Sequence, residues 1–193
     1  MNQNTPFMEE ENQEDTKVLA SEKKASAFDE IRSFIVTTAI YLTIFLVIIH
    51  FVARPVVVEG VSMQNTCQNG DYIIIWQAGY KPQKGDIVVI DDDNALGKRL
   101  VKRVIALGGD HVEIDNGALK INGEFQEEKY TKEPQWGKGE TFDLIVPQNE
   151  VFVMGDNRND SADSRVIGTL SVHSVMGKAV VRLFPFDRMG TLD

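Results

Sequence analysis

One uninterrupted apolar run, residues 34–53, constrains this chain more than any other feature of its sequence. At about 20 residues it has the length that an α-helix needs to cross the hydrocarbon core of a bilayer. Within it only His50 could carry a charge near neutral pH. A helix buried in a soluble core usually keeps a polar stripe, whereas the threonines and the tyrosine of this run are spread too thinly to form one. The run therefore predicts a membrane-spanning helix.

The flanks of this run indicate an uncleaved anchor and give its orientation. The run is too long for the apolar part of a secretory signal peptide, an acidic segment precedes it, and no Ala-x-Ala-like cleavage site follows it. Lys23, Lys24 and Arg32 lie shortly before it, whereas after Arg54 the next basic residue is Lys81. Because positive charge is retained on the cytoplasmic side, the sequence predicts a cytoplasmic N-terminus and an extracytoplasmic domain after the anchor.

The segments on either side of the anchor differ in composition. Residues 1–27 are polar, acidic and poor in aromatics, so we expect a disordered cytoplasmic tail, and the anchor helix is predicted over 28–54. Beyond residue 54, short runs of β type alternate with turn signals, which predicts a mostly β domain. The predicted strands are 55–59, 71–77, 87–90, 100–106, 111–114, 119–121, 151–154 and 175–184.

Within this domain one stretch, 115–146, is more polar than the rest. We expect it to form a smaller β region inserted into a core made by 55–114 and 147–193. Asn116 and Gly117 lie between two predicted strands, which is the strongest short signal for a hairpin.

Composition argues against several classes of function. The net charge of −9 and the lack of a basic cluster argue against nucleic-acid binding. Cys67 is the only cysteine, so neither an intramolecular disulfide nor a cysteine-based metal site can form. The histidines, His50, His111 and His173, are too scattered for a zinc motif, and we expect neither a metal ion nor a cofactor.

The most polar stretch of the domain, residues 155–165, directly follows the apolar run 151–154. Asn, Asp and Ser side chains fix turns by bonding to nearby backbone amides, and Arg158 and Arg165 offer planar forks for carboxylates. A solvated loop would explain this composition, and so would a loop that supports a functional site. A calcium loop starting at Asp156 does not fit, because its third and sixth positions lack the required amide or carboxylate and the glycine.

Two other residues could supply reactivity. Ser62 lies in a small-residue turn after a β-type run, where its hydroxyl and nearby backbone N–H groups could form a nucleophile and an oxyanion hole. Alternation places Lys102 on the apolar face of the run 100–106, which would draw it into the core while Arg103 points away. The alternatives are a purely structural serine in a turn and a lysine at a sheet edge with its amine in water.

Burial would change the chemistry of Lys102. A lysine with the ordinary pKa of about 10.4 cannot accept a proton from serine at neutral pH, but desolvation can lower that pKa by about 3 to 5. A neutral amine could then act as general base for Ser62, as in the Ser-Lys variants of the serine protease triad.

Four sequence blocks after the anchor resemble those of the type I signal peptidases, the membrane-bound Ser-Lys proteases that remove signal peptides from exported proteins. The blocks are GVSMQNT at 60–66, GDIVV at 85–89, KRVIALGGD at 102–110 and GDNRNDSADSR at 155–165. The resemblance spans about residues 34–184, and the last two blocks are its most specific part.

The resemblance implies a role for each matching residue. Ser62 would be the nucleophile and Lys102 the general base. Ser161 would hydrogen-bond to the lysine amine and orient it, while Asp163 and Arg165 would form an ion pair that braces the site.

The nucleophile block also departs from the family pattern. Met63 would pack beside the nucleophile, whose own backbone N–H would serve the oxyanion hole. Some family members add a second donor from a hydroxyl two residues earlier, but Gly60 stands at this position. Asn65 and Cys67 occupy positions where the family usually has proline and leucine, so we expect altered loop rigidity or specificity rather than loss of activity.

The same resemblance implies the fold, the substrate and the partners. The fold would be a mostly β, signal-peptidase-like catalytic core with a small inserted β region, preceded by one transmembrane helix. The substrates would be signal peptides of exported preproteins, cut after small residues and docked strand-like beside 55–59. The lipid bilayer and the secretion translocon would be further partners.

Two other classes of function fit parts of the sequence. A non-catalytic relative that assembles surface proteins would not need the reactive pair, yet both Ser62 and Lys102 are present. A self-cleaving Ser-Lys regulator of the DNA-damage type would carry a DNA-binding segment rather than a membrane span.

Overall fold

The computed structural model describes the backbone of residues 7–133 and 136–192, and the side chains from residue 29 onward within those ranges. The chain divides into two units, Met1–Ile48 and Ile49–Asp193. Helix α1 (Phe7–Phe51) contains one segment, Asp29–Phe51, that is long and apolar enough to cross a membrane, with a mean hydropathy of 2.3. The predicted anchor helix is therefore present.

The helix begins earlier than predicted. Residues 7–27, for which we expect a disordered tail, continue α1, and residues 1–6 of the same prediction lie outside the described residues. This stretch contains neither glycine nor proline and is rich in Glu, Lys, Gln and Ala. Because these residues have high helix propensity, an acidic composition alone does not predict an unfolded backbone.

The described residues after α1 form twelve strands in two antiparallel sheets. The strands are β1 (Ala53–Val57), β2 (Tyr72–Trp76), β3 (Ile87–Ile90), β4 (Leu100–Leu107), β5 (His111–Asp115), β6 (Ala118–Ile121), β7 (Glu124–Phe125), β8 (Thr141–Ile145), β9 (Glu150–Met154), β10 (Leu170–Ser171), β11 (Val175–Phe184) and β12 (Gly190–Thr191). The larger sheet has the order β1-β2-β11-β3-β4-β9-β10, and β12 pairs with β11. The smaller sheet has the order β7-β6-β5-β8. A mostly β fold with a smaller inserted sheet is confirmed.

Each predicted strand is present with its ends shifted by at most two residues. The smaller sheet starts at β5, so its boundary is His111 rather than residue 115. The hairpin between β5 and β6 turns at Asn116 and Gly117, both with positive φ, as that dipeptide predicts. The sequence does not predict β7, β8, β10 or β12, because these strands are very short or, in β8, lie in the polar stretch 115–146.

The smaller sheet packs onto the end of the larger one. Ile105 and Ala106 of β4 and Phe152 and Met154 of β9 are buried in one apolar cluster with the inward side chains of β5 and β6. A β-bulge between Val104 and Ala106 separates this part of β4 from its first half. The end of β9 is thereby held between the two sheets, and the polar loop 155–165 starts there.

Candidate active site

Ser62 and Lys102 come from separate elements and meet side by side. Ser62 is half-buried in a turn after β1, where Cys67 N–H donates to the carbonyl of Met63 over 2.7 Å. Lys102 lies in the first half of β4 and is 2% exposed. Its Nζ is 2.6 Å from Ser62 Oγ, within hydrogen-bond distance. Of the two alternatives for Lys102, the structure therefore has the buried one.

Burial governs the protonation of this lysine. It lowers the pKa of Lys102 from 10.5 to about 8, because the ammonium is the form that loses its hydration. The nearby carboxylate of Asp163 opposes the shift, whereas the charge of Lys98 reinforces it. A neutral amine is consequently accessible near physiological pH, and it is in hydrogen-bond contact with a hydroxyl.

An ion pair within the polar loop lies close enough to Lys102 to influence its charge. Arg165 Nε donates to Asp163 Oδ1 over 2.9 Å and Nη2 donates to Oδ2 over 3.0 Å. Asp163 also caps the short helix α2 (Ser164–Ile167) and accepts the Gly155 N–H at 3.0 Å. Burial opposes ionisation of Asp163, but the Arg165 guanidinium and the Gly155 N–H outweigh it and lower the pKa of the carboxyl. The predicted ion pair is formed.

The start of the loop holds the backbone of the nucleophile turn. Asn157 N–H donates to the carbonyl of Ser62 over 2.9 Å, and Asn157 Nδ2 donates to the carbonyl of Val61 over 3.0 Å. At Gly155 the loop approaches so closely that a Cβ would lie 2.4 Å from the Ser62 carbonyl oxygen and 2.4 Å from Ser161 Oγ. Neither alanine nor any larger residue fits there without displacing the turn.

One predicted contact is absent. Ser161 Oγ is buried but has no hydrogen-bond partner among the described residues, so the hydrogen bond to the Lys102 amine is not formed in this structure. Ser161 nevertheless lies at the site, because Gly155 packs between its hydroxyl and the Ser62 carbonyl.

The dyad opens into a cleft of about 460 Å³ lined by Glu59, Gly60, Val61, Ser62, Leu96, Lys98, Arg99, Leu100, Val101, Lys102, Asp160 and Ala162. A second cleft of about 510 Å³ shares Glu59, Lys98, Arg99 and Val101 with it and continues along β1. β1 is an edge strand of the larger sheet, so one row of its backbone groups faces this continuation without a partner strand among the described residues.

Comparison with known proteins identifies the family of this chain. The family model described as "Signal peptidase, peptidase S26" matches residues 31–184. The chain belongs to this signal peptidase family. Among curated members, a probable signal peptidase I-1 from Synechocystis is 38% identical and covers 78% of this chain and 81% of its own length.

Relatives from other bacteria agree. A signal peptidase I from Leptolyngbya laminosa is 36% identical over 74% of either chain, and signal peptidase IB from Staphylococcus aureus is 31% identical over 82% of this chain and 92% of its own. A crystal structure of a signal peptidase I from Enterococcus faecalis is 34% identical, covers 51% of this chain and 97% of that one, and has a TM-score of 0.44. This member of the signal peptidase family is thus a serine endopeptidase carried on a membrane anchor.

The remaining predicted residues lie where this signal peptidase needs close packing. Met63 is 1% exposed and packs into the apolar cluster between β2 and β3. Gly60 lines the cleft with φ +89°, and its N–H donates to Asn69 Oδ1 over 2.9 Å, so it is not directed to a substrate. Asn65 has φ +96°, a conformation that asparagine tolerates and proline cannot adopt.

Two buried ion pairs behind the site are not predicted. Arg103, expected to point away from the core, is 3% exposed, because the opposite face of β4 is covered as well. It forms a bidentate pair with Asp156 at 3.0 and 2.9 Å. Arg158 pairs in the same way with Glu128 at 2.6 Å for each contact. The sequence predicts that Arg158 binds a carboxylate. It does not identify Glu128 as that carboxylate, because Glu128 is one of several polar residues in the stretch 115–146.

Proposed function

We propose that this signal peptidase cleaves preproteins with Ser62 as nucleophile and Lys102 as general base. The observation that carries the proposal is the 2.6 Å contact between Lys102 Nζ and Ser62 Oγ at the bottom of a cleft. Buried lysines are uncommon unless paired or functional, and Lys102 has a hydroxyl rather than a carboxylate as its hydrogen-bond partner.

In the first step, neutral Lys102 takes the proton of the Ser62 hydroxyl while Oγ attacks the carbonyl carbon of the scissile peptide bond. The tetrahedral intermediate collapses with cleavage of the C–N bond, and the ammonium of Lys102 protonates the leaving amine. Lys102, neutral again, then takes a proton from water, whose oxygen attacks the Ser62 ester. The acid is released and the serine hydroxyl recovers its proton.

The oxyanion of the intermediate would be stabilised by the Ser62 backbone N–H. Within the described residues this group donates no hydrogen bond to the protein, so it is available to a substrate oxygen. The Gly60 N–H is already used by Asn69, and position 60 has no hydroxyl. The oxyanion hole of this chain would therefore rely on one backbone donor.

The substrate would be the signal peptide of an exported preprotein, bound in extended form. The open edge of β1 offers backbone hydrogen bonds for an added strand, and the two connected clefts follow this edge from Arg54 to Ser62. Side chains beside the nucleophile would be small and would contact Val61, Leu100 and Ala162, which line the cleft there.

Lipid would be the second partner. Three exposed aromatic side chains, Tyr72, Phe184 and Phe186, are in edge-to-face contact through Phe184 where β2 begins and β11 ends. Trp76, exposed at the other end of β2, is paired in register with Ala53, two residues after α1 ends. With the N-terminus in the cytoplasm, these aromatics would meet the outer leaflet, where amphipathic rings are favoured. A preprotein arriving from the secretion translocon would be presented at the same level.

The alternative of a non-catalytic assembly factor is not favoured by any observation. It would require neither a lysine desolvated against a hydroxyl nor a cleft that opens above them.

Cleavage of a preprotein by the full chain in detergent micelles tests the proposal. Ser62→Ala and Lys102→Ala should each abolish cleavage, whereas Ser174→Ala, outside the cleft, should leave it intact. Near-ultraviolet circular dichroism checks that each variant is folded. Cleavage by folded Ser62→Ala or Lys102→Ala protein at the wild-type rate would exclude the dyad.

A further inference from the structure

A segment of the inserted region runs behind the dyad without entering the cleft. This strap, residues 128–132, follows β7 of the smaller sheet. None of its residues lines the cleft at Ser62 and Lys102 or the cleft that continues along β1. It nonetheless contacts all three elements that build the site: the nucleophile turn, β4 and the polar loop.

The strap first contacts the polar loop through Glu128. Both carboxylate oxygens accept from Arg158 at 2.6 Å, and the side chains are 7% and 0% exposed. Arg158 Nε donates in turn to the Gly155 carbonyl over 2.9 Å. The Arg158 guanidinium also lies 4.8 Å from the Trp136 ring. Glu128 thus fixes an arginine that spans the start of the loop.

Tyr130 makes the second contact, with β4. Its ring lies 4.0 Å under the Arg103 guanidinium, which forms the bidentate pair with Asp156. Its hydroxyl donates to Glu128 over 2.8 Å, which links the two strap side chains. Asp156 is the residue directly before Asn157, whose N–H holds the Ser62 carbonyl.

The third contact is made by the strap backbone. Asn65 Nδ2, in the nucleophile turn, donates to the Tyr130 carbonyl over 3.1 Å. Lys132 N–H donates to the Asp156 carbonyl over 2.9 Å, and Lys132 Nζ donates to Gln64 Oε1 over 2.9 Å. The nucleophile turn and the loop are therefore tied to the same five residues.

From these contacts we infer that Glu128 and Tyr130 are positioning residues for catalysis. They act through Arg158 and Arg103 on the Asp156–Asn157 backbone, which sets where Ser62 Oγ and its N–H lie relative to Lys102. The smaller sheet would then serve the reaction, although it supplies no group to the cleft. This inference rests on the proposed dyad.

Five variants of the full chain in detergent test it. Glu128→Gln removes the buried charge, and Tyr130→Leu removes the ring while keeping an apolar side chain. Tyr130→Phe keeps the ring under Arg103 and is the conservative rescue. Asn65→Gly deletes the two contacts of Nδ2 with the strap, to the carbonyls of Tyr130 at 3.1 Å and Thr131 at 3.5 Å, and glycine adopts φ +96° freely. Glu127→Gln is the matched control, since this neighbouring carboxylate is 78% exposed and, among the described residues, pairs with Lys129 alone.

We expect kcat to fall about 10- to 100-fold in Tyr130→Leu and Glu128→Gln with KM little changed, because small misplacements of reacting groups are costly. Tyr130→Phe should restore most of the rate, Asn65→Gly should lose severalfold, and Glu127→Gln should match wild type. In the pH dependence of kcat, the acid limb should stay at the wild-type pH because the surroundings of Lys102 are retained. Only the plateau value of kcat should fall. A role in stability alone would lower the folded fraction and leave kcat per folded molecule unchanged.

Two results would overturn the inference. One is a wild-type kcat in folded Tyr130→Leu and Asn65→Gly. The other is a loss of kcat in Tyr130→Phe that is as large as the loss in Tyr130→Leu. If Glu128→Gln does not fold, Asn65→Gly still decides, because it leaves the buried pairs intact. Ser62→Ala separates the hypotheses: activity in that variant refutes the dyad, whereas an inactive Ser62→Ala beside fully active strap variants refutes the positioning role alone.

Discussion

Burying Lys102 should cost this protein stability, and replacing it by methionine should return that stability in a pH-dependent way. Its pKa falls from 10.5 in the unfolded chain to about 8 in the folded one, which corresponds to about 3 kcal/mol at about 1.4 kcal/mol per unit. At pH 7 roughly one amine in ten is then neutral, against roughly one in three thousand at a pKa of 10.5. Burial of Lys102 thus makes a neutral amine available near neutral pH and lowers the stability of the fold.

The sign follows from proton linkage. Below pH 8 both states carry the ammonium, so the full penalty of burying it is present. Between pH 8 and 10.5 the unfolded chain binds the proton that the folded chain lacks, and stability rises with pH. Above 10.5 both states are neutral and the penalty is gone. The free energy of unfolding of Lys102→Met should therefore exceed that of wild type by about 3 kcal/mol at pH 7, and this difference should shrink between pH 8 and 10.5.

Urea unfolding of the full chain in detergent at pH 7, 8, 9 and 10 measures this difference. Packing changes caused by methionine alter the free energy of unfolding by an amount that does not vary with pH. The informative quantity is therefore how much the difference between variant and wild type changes from pH 7 to pH 10. Lys84→Met, at a side chain that is 49% exposed, is the control. A difference that stays constant from pH 7 to 10, or a change of the same size in Lys84→Met, would refute the reasoning.

Three further outcomes are expected. The kcat/KM of wild type should rise with pH through about 8, because only neutral Lys102 can act as base, and an acid limb near 10.5 would contradict this. Gly155→Ala should lose most activity and about 1–3 kcal/mol of stability through its clash with the Ser62 carbonyl, whereas Gly190→Ala, with open space around it, should be neutral in both assays. Asn65→Pro should lower the unfolding midpoint, because proline cannot reach φ +96°; an unchanged midpoint would mean that the turn has a second conformation.

The strand pattern and the candidate pair Ser62 and Lys102 could largely be predicted from the sequence, and the physical reason is local. Apolar alternation puts Lys102 on the apolar face of its strand, which left a buried amine and an edge position open, and the structure has the buried one. Asn116 and Gly117 determine a hairpin through their own backbone preferences. The specific blocks at 102–110 and 155–165 then identify the family.

Long-range pairing is what the sequence does not reveal. Arg103 is exposed by the alternation argument, yet it is buried because Tyr130 and Asp156, distant in sequence, cover it. Glu128 belongs to a polar stretch whose composition resembles a solvated excursion, and its partner is 30 residues away. The helical backbone of residues 7–27 was likewise not predicted, because the acidic composition indicates disorder whereas the helix propensity of the same residues favours a helix.

Lys102 and Arg103 are neighbours on one strand, and they face opposite sides of the sheet. One side chain contacts Ser62, and the other holds the carboxylate of Asp156. A slip of β4 by one residue against β3 would exchange the two, placing a guanidinium that cannot be deprotonated beside Ser62. Length changes in the preceding loop are therefore harmless only while the pairing of Val88 with Lys102 is kept. Selection on this loop acts on strand register as well as on its own contacts.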